Sequence, residues 1–101
     1  MKKSLAEIHP GKILLEEFMQ PMGITGQRLS ADIDVPPSRI SEIVNGLRPI
    51  TVDTAYRLSV YFNMEARFWI NLQAEYDLRT TARALEGDVA RRIRVYQPIS
   101  A

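Results

Sequence analysis

The chain has 101 residues, 46% of them hydrophobic and 25% charged, with a net charge of +1. This composition predicts one globular domain and excludes a wholly disordered chain. The absence of cysteine excludes disulfides, cysteine-ligated zinc and a thiol nucleophile. Because no apolar run could cross a bilayer and no secretory signal is visible, we expect a cytoplasmic protein without a membrane partner.

The first predicted helix covers roughly residues 11–19, and Pro21 with Gly23 ends it. His9 is the only histidine of the chain and comes directly before Pro10. A lone imidazole without a neighbouring acid or nucleophile is a poor catalyst. We therefore expect His9 to cap this helix.

Residues 25–45 predict two short helices joined by a tight turn, an arrangement that can place a helix in the DNA major groove. Thr25 is a good N-cap for the first of them. Asp34 falls where the turn requires a residue that tolerates left-handed backbone. Pro36 and Pro37 then stop one helix and start the next, because proline is accepted at the first helical position.

The second of these helices is predicted to bury Ile40, Ile43 and Val44. Five polar side chains are then left pointing outward: Ser38, Arg39, Ser41, Glu42 and Asn45. Arginine can bridge the O6 and N7 atoms of guanine, although a phosphate contact is an open alternative. For Glu42 the alternatives are a cytosine amine or a pair with Arg39, and for Asn45 an adenine or a helix cap. Spacing alone favours DNA binding no more than a purely structural helix pair.

Two further helices complete the predicted bundle. Thr51 caps a fourth helix, and a fifth runs from about residue 65 to 78 with Phe68, Trp69 and Tyr76 as core residues. The chain is thus predicted to be all-α, a five-helix bundle over residues 1–78.

Residues 79–101 are predicted to form a C-terminal extension with a short helix and a possible strand. The alternation over residues 93–96 resembles a strand, which Pro98 limits to an edge. The extension has more apolar side chains than a tail needs. We expect a dimer contact there, made by Leu85, Val89, Ile93, Val95 and Tyr96. The alternative is that the extension folds back on its own bundle.

Four phrases together resemble the HigA (VapI) antitoxins of the phage-repressor-like (XRE) helix-turn-helix family. They are HPGKILLEE at 9–17, RISEIVNGLRPIT at 39–51, DTAYRLSVYF at 53–62 and FWINLQAEYDL at 68–78. The resemblance implies a lambda-repressor-like helix-turn-helix fold and the antitoxin of a type II HigBA-like module. Such a protein restrains a RelE-like ribonuclease toxin, HigB, and represses its own operon as a homodimer bound to double-stranded operator DNA. The extension would share in toxin binding.

The resemblance also implies which side chains contact DNA, carried over position by position. They are Gln27, Arg28, Ser38, Arg39, Ser41, Glu42, Asn45 and Arg48. The chain departs from the family pattern at Gly26, where a glutamine is usual, and at Asp34, where the turn usually has glycine. Because Gln27 follows one residue later, its side chain is turned by about 100° around the helix.

Two other functions stay open at this stage. One is a stand-alone phage-repressor-like regulator without a toxin, and the other is an interaction module that no longer binds DNA. No set of residues combines a nucleophile, a base and an oxyanion site, so we expect no enzymatic activity, no cofactor and no metal site.

Overall fold

The computed structural model describes residues 7–99 and contains six helices in that range. Helix α1 spans residues 10–22 and joins an α-helical turn (Pro10–Ile13), a π-helical segment (Leu14–Met19) and a closing turn (Gln20–Met22). The others are α2 (Gly26–Asp32), α3 (Pro37–Val44), α4 (Val52–Phe62), α5 (Ala66–Leu85) and α6 (Asp88–Arg92). The predicted all-α bundle is confirmed.

Helix α1 begins at the cap that the sequence predicts. Nδ1 of His9 accepts a hydrogen bond from the Gly11 amide at 2.9 Å. The helix continues past residue 19, where it was predicted to end. The amide of Gln20 donates to the carbonyl of Leu15, five residues earlier, which is the spacing of a π-helix. Pro21 has no amide hydrogen and therefore leaves no donor unpaired at the next position. The helix ends at Gly23, whose φ is +65°.

The core lies where α1, α2, α3, α4 and α5 meet. Trp69 is fully buried there, and its ring contacts Phe18 and Phe68 at centroid distances of 4.9 and 5.0 Å. The predicted core role is therefore confirmed for Trp69, against which Phe68 packs partly buried. Tyr76 lies outside this core, with its ring 5.1 Å from that of His9. The fully buried aliphatic residues around it are Leu14, Leu29, Ile40, Ile43 and Leu58.

Two predictions about the C-terminal part of the chain are wrong. Helix α5 does not end at Leu78 but continues to Leu85, because residues 79–85 contain no glycine or proline. Residues 93–99 form no strand in the described part of the chain, since no neighbouring strand lies beside them to complete a ladder. The short helix predicted in this segment, at residues 80–85, is the last part of α5, and α6 follows the predicted break at Gly87.

The end of α5 and α6 project from the bundle. The described chain measures 60 × 33 × 24 Å and has a radius of gyration of 17.5 Å. A compact domain of this size would have a radius of roughly 13 Å. The part of the extension beyond Leu85 therefore projects away from the bundle, whereas Arg79 and Arg83 at its start lie 3.8 and 3.2 Å from Oε1 of Glu7.

Candidate nucleic-acid interface

The turn between α2 and α3 has the geometry that the sequence predicts. The hydroxyl of Thr25 accepts from the Arg28 amide at 3.1 Å and caps α2. Asp34 adopts left-handed backbone with φ +59°, and Pro37 is the first residue of α3. These local features fix the angle at which α3 leaves the turn.

The end of α3 is fixed equally well. Gly46 has φ +76°, and its amide donates to the Ile43 carbonyl at 3.0 Å. The Leu47 amide donates to the Glu42 carbonyl at 2.8 Å, which completes a Schellman cap. Nδ2 of Asn45 donates to the Ser41 carbonyl at 2.8 Å, so the cap role open for this side chain is present in the free protein.

The outer face of α3 consists of Ser38, Ser41 and Asn45, which are all exposed. On the opposite side Ile40 and Ile43 are fully buried. Two short hydroxyl side chains and an amide thus form a narrow polar ridge on one side of α3, and the buried isoleucines on the other side hold this helix against the core. Such a ridge can enter a major groove and present donors and acceptors to base edges.

Arg39 lies on the flank of α3, beside the buried face, and only 28% of its side chain is exposed. Its Nη1 donates to Oδ1 of Asp53 at 3.0 Å. The same oxygen accepts from Nε of Arg57 at 2.8 Å, and Nη1 of Arg57 donates to the carbonyls of Ile33 and Asp34 at 2.8 and 3.0 Å. These contacts tie α3 and the turn to the first turn of α4. The hydrogen bond from Arg57 is the main reason why the pKa of Asp53 lies below its usual value.

Glu42 pairs with Arg48 and not with Arg39, the partner considered from sequence. Nε and Nη2 of Arg48 approach Oε1 of Glu42 at 2.8 and 2.7 Å. Both side chains are partly exposed at the edge of the outer face. The free protein thus neutralises this carboxylate with a cation from the loop that follows α3.

Gln27 and Arg28 lie exposed in the first turn of α2. Nε of Arg28 is 3.5 Å from Oδ2 of Asp32, one turn further along. That carboxylate also accepts from the hydroxyl of Tyr61 at 2.8 Å, which raises the pKa of the tyrosine. The start of α2 and the outer face of α3 are the two places where the predicted DNA-contacting residues gather.

Helix α1 packs directly against the buried side of α3. A Cβ atom at Gly11 would lie 1.7 Å from the carbonyl oxygen of Ile43, so only glycine allows the observed approach. This role of Gly11 was not predicted from the sequence. The close approach follows from how α1 and α3 cross, and the HPG phrase alone gives no signal of it.

Gln73 holds the loop that follows α3. Its Oε1 accepts from the Ile50 amide at 2.8 Å, and its Nε2 donates to Asp77 at 2.9 Å. The side chain is buried, so both of its polar ends need these partners. Neither this residue nor Arg57 was predicted from the sequence. The available signals were a polar side chain on an apolar helix face and an Asp–Arg pair four residues apart.

The predicted dimer residues are spread along the projecting extension. Ile93, Val95 and Tyr96 are 64%, 80% and 82% exposed, Leu85 is 39% exposed and Val89 is half-buried. Most of this apolar surface is therefore exposed to solvent and available for contact with another chain.

Two further findings concern residues 7–99. No helix in that range is both long and apolar enough to cross a membrane. The same residues contain no group of three or more His, Cys, Asp or Glu side chains placed to hold a metal ion.

Comparison with known proteins places these features in a family. The Helix-turn-helix family model matches residues 15–69, so the fold and the interface define a helix-turn-helix protein. Virulence-associated protein I of Dichelobacter nodosus is 49% identical over 78 residues, which cover 77% of this chain and 72% of that protein. The chain belongs to the HigA (VapI) antitoxins of the XRE-type helix-turn-helix family.

Solved structures agree with this assignment. The Pseudomonas aeruginosa antitoxin HigA with the higBA promoter has a TM-score of 0.84 and 38% identity, over 87% of this chain and 96% of that one. The antitoxin GraA in complex with its operator has a TM-score of 0.85 and 30% identity, over 97% of this chain and 99% of that one.

Proposed function

We propose that this protein binds operator DNA as a homodimer, represses its own operon, and restrains a RelE-like ribonuclease toxin in the cytoplasm. It carries out no catalysis itself. The observation that carries the proposal is the outer face of α3, an exposed polar ridge. The turn before α3 and the cap after it fix the ends of this helix, and α1 packs against its buried side. The likeness to HigA with the higBA promoter supports the same conclusion.

Base recognition is assigned to the outer face. Ser38, Ser41 and Asn45 present hydroxyl and amide groups of the size that fits base edges, and Glu42 stands beside them to accept from a cytosine amine. Binding requires that Glu42 exchange its pair with Arg48 for that contact. Arg48 then becomes free to reach a phosphate.

Backbone contacts are assigned to Gln27, Arg28, Arg39 and Arg48, which surround the outer face. For Arg39 the geometry favours the phosphate alternative over guanine. Because residues in a helix are turned by about 100° from one to the next, the side chain of Arg39 leaves α3 in a different direction from that of Ser38. Asp53 holds the guanidinium of Arg39 towards the first turn of α4. Such contacts position the protein and contribute affinity without selecting a sequence.

Dimerisation is assigned to the extension. Helix-turn-helix proteins commonly read two half-sites one helical turn apart, which requires two copies in a fixed relation. The exposed apolar residues Ile93, Val95 and Tyr96 project from the bundle and can meet the same residues of a second copy. The extension also supplies part of the surface that binds the toxin.

A binding experiment tests the DNA-binding part of the proposal. Fluorescence anisotropy is measured with the promoter fragment upstream of the gene and with a scrambled duplex, over a range of salt concentrations. We expect tight, salt-dependent binding to the promoter fragment. The double variant Ser38→Ala/Ser41→Ala should lose discrimination between the duplexes, while the control Thr80→Ala/Thr81→Ala on exposed α5 should keep it.

Equal affinity of the unaltered protein for both duplexes would contradict sequence-specific repression. The toxin is tested by affinity capture of the full chain from its native host, followed by mass spectrometry. We expect a small ribonuclease encoded next to the antitoxin gene. Operator binding without such a partner would favour a stand-alone regulator.

A further inference from the structure

Positive charge is divided unevenly along the chain. Residues 1–78, which contain the helix-turn-helix, hold eight Lys and Arg against ten Asp and Glu. Residues 79–101 hold five arginines against two acids. The bundle that carries α3, the proposed recognition helix, is therefore net negative, and the extension is net positive. Duplex DNA attracts its partners mainly through phosphate, so this distribution is opposite to what the recognition helix alone would need.

The arginines around the recognition helix are each close to a carboxylate in the free protein. The N–O distances are 3.5 Å for Arg28–Asp32, 3.0 Å for Arg39–Asp53, 2.7 Å for Arg48–Glu42 and 2.8 Å for Arg57–Asp53. A phosphate that approaches any of them also approaches an acid. The attraction of this surface for a duplex is weakened accordingly.

Two of the five arginines of the extension, Arg79 and Arg83, lie 3.8 and 3.2 Å from Oε1 of Glu7. The other three are in a different situation. Arg91, Arg92 and Arg94 are all exposed, and within the described residues only Arg92 has a carboxylate within 4.0 Å. That partner, Asp88, is itself 81% exposed at 3.5 Å, and Nε of Arg91 donates to the Gly87 carbonyl. These three guanidiniums are available to an anion at little electrostatic cost.

The charged and the apolar side chains of this segment are both accessible. Ile93 ends α6 with extended backbone angles, φ −82° and ψ 127°. Arg94 is exposed, and its neighbours Ile93 and Val95 are 64% and 80% exposed. The apolar side chains can therefore pack against a second copy while the guanidinium of Arg94 stays available to a phosphate. At full extension, the seven residues from 93 to 99 would reach roughly 23 Å.

We propose that residues 91–99, the C-terminal arm, form a second DNA contact that binds the phosphate backbone beside the half-site through Arg91, Arg92 and Arg94. This inference rests on the proposed operator binding and adds to it a source of sequence-independent affinity. The recognition helix supplies the choice of sequence, and the arm supplies attraction that the acidic bundle lacks.

The test compares salt dependence in the full-length protein. The arm variant Arg91→Ala/Arg92→Ala/Arg94→Ala is measured by anisotropy with the operator and with a scrambled duplex. The control Arg67→Ala/Arg79→Ala/Arg83→Ala removes the same charge from α5. For the arm variant the slope of log affinity against log salt should become shallower by about 0.9 for each phosphate that the arm no longer binds. Affinity for the two duplexes should fall by the same factor.

The lysine variant Arg91→Lys/Arg92→Lys/Arg94→Lys keeps the charge and should restore most of the slope. An unchanged slope in the alanine variant would overturn the proposal, and so would an equal change in the α5 control or a reduction that lysine does not restore. Failure of the unaltered protein to prefer its operator would refute the proposed function instead. The arm would still be tested on the scrambled duplex.

Discussion

Nη1 of Arg39 donates to Oδ1 of Asp53 at 3.0 Å, and this contact joins the recognition helix to the first turn of α4. The carboxylate is 59% exposed, so the pair is held at the surface and can be exchanged for a phosphate. This contact therefore positions α3 in the free protein, and it also holds the guanidinium of Arg39 at the surface, where a phosphate can replace the carboxylate.

Arg39 and Asp53 should respond oppositely to substitution. Arg39→Ala should lower affinity for operator and scrambled duplex alike and reduce the salt slope by about 1, as expected for one phosphate contact. Asp53→Asn should raise affinity, because it releases Arg39 and removes a negative charge near the DNA. Anisotropy titrations at several salt concentrations measure both effects. A parallel decrease in the two variants would show that Arg39 acts only by positioning α3 on α4.

Gly11→Ala should destabilise the protein and displace the recognition helix. The added methyl group would meet the Ile43 carbonyl at 1.7 Å, and backbone cannot move aside as a side chain can. We expect a cost at or above the upper end of about 1–3 kcal/mol, which lowers the melting temperature by about 10 °C or more. The control is Gly87→Ala, where nothing lies within 4 Å of the new atom and stability should hardly change. Similar melting temperatures for the two variants would contradict the close packing of α1 on α3.

The stability of the protein should depend on the protonation of His9. Burial lowers the pKa of this imidazole below 6.5, and the Asp77 carboxylate opposes the shift less strongly. The unfolded chain therefore takes up the proton first as pH falls. The contribution of the neutral His9 cap is complete above 6.5 and is lost as pH drops through the lower pKa of the folded state.

Urea unfolding at about pH 7.5 and about pH 5.5 measures this effect on either side of the reference value of histidine. The variant His9→Asn keeps a side chain that can cap the helix but does not titrate. We expect the unaltered protein to lose more stability between the two pH values than this variant. An equal loss in both would assign the pH dependence to other groups.

The extension should hold two copies together. Deleting residues 80–101 should convert the dimer to a monomer in sedimentation equilibrium, and Ile93→Asp/Val95→Asp should do the same with the full-length chain. The control Gln97→Asp adds charge to the same exposed segment without replacing an apolar side chain. A dimer that survives the deletion would reject this assignment.

Local sequence determined most of the helix-turn-helix. Thr25, Asp34 and Pro37 act on backbone within a few residues, so their caps and turns could be read directly from the chain and are present in the structure. The same short range explains the errors. Pro21 suggested an end to α1 because the π-helical spacing that accommodates it is not visible in the residue pattern. The alternation at 93–96 suggested a strand although a strand also needs a neighbour.

Tertiary structure alone decided which charged and polar groups meet. Arg39 joins Asp53 across 14 positions, Gln73 joins Ile50 across 23, and Glu42 selects Arg48 six residues away. Several acids lie within reach of each arginine along the chain, and only the crossing of the helices determines which of them comes within 3 Å. Helix boundaries are set by residues next to one another, whereas these contacts depend on the positions of whole helices.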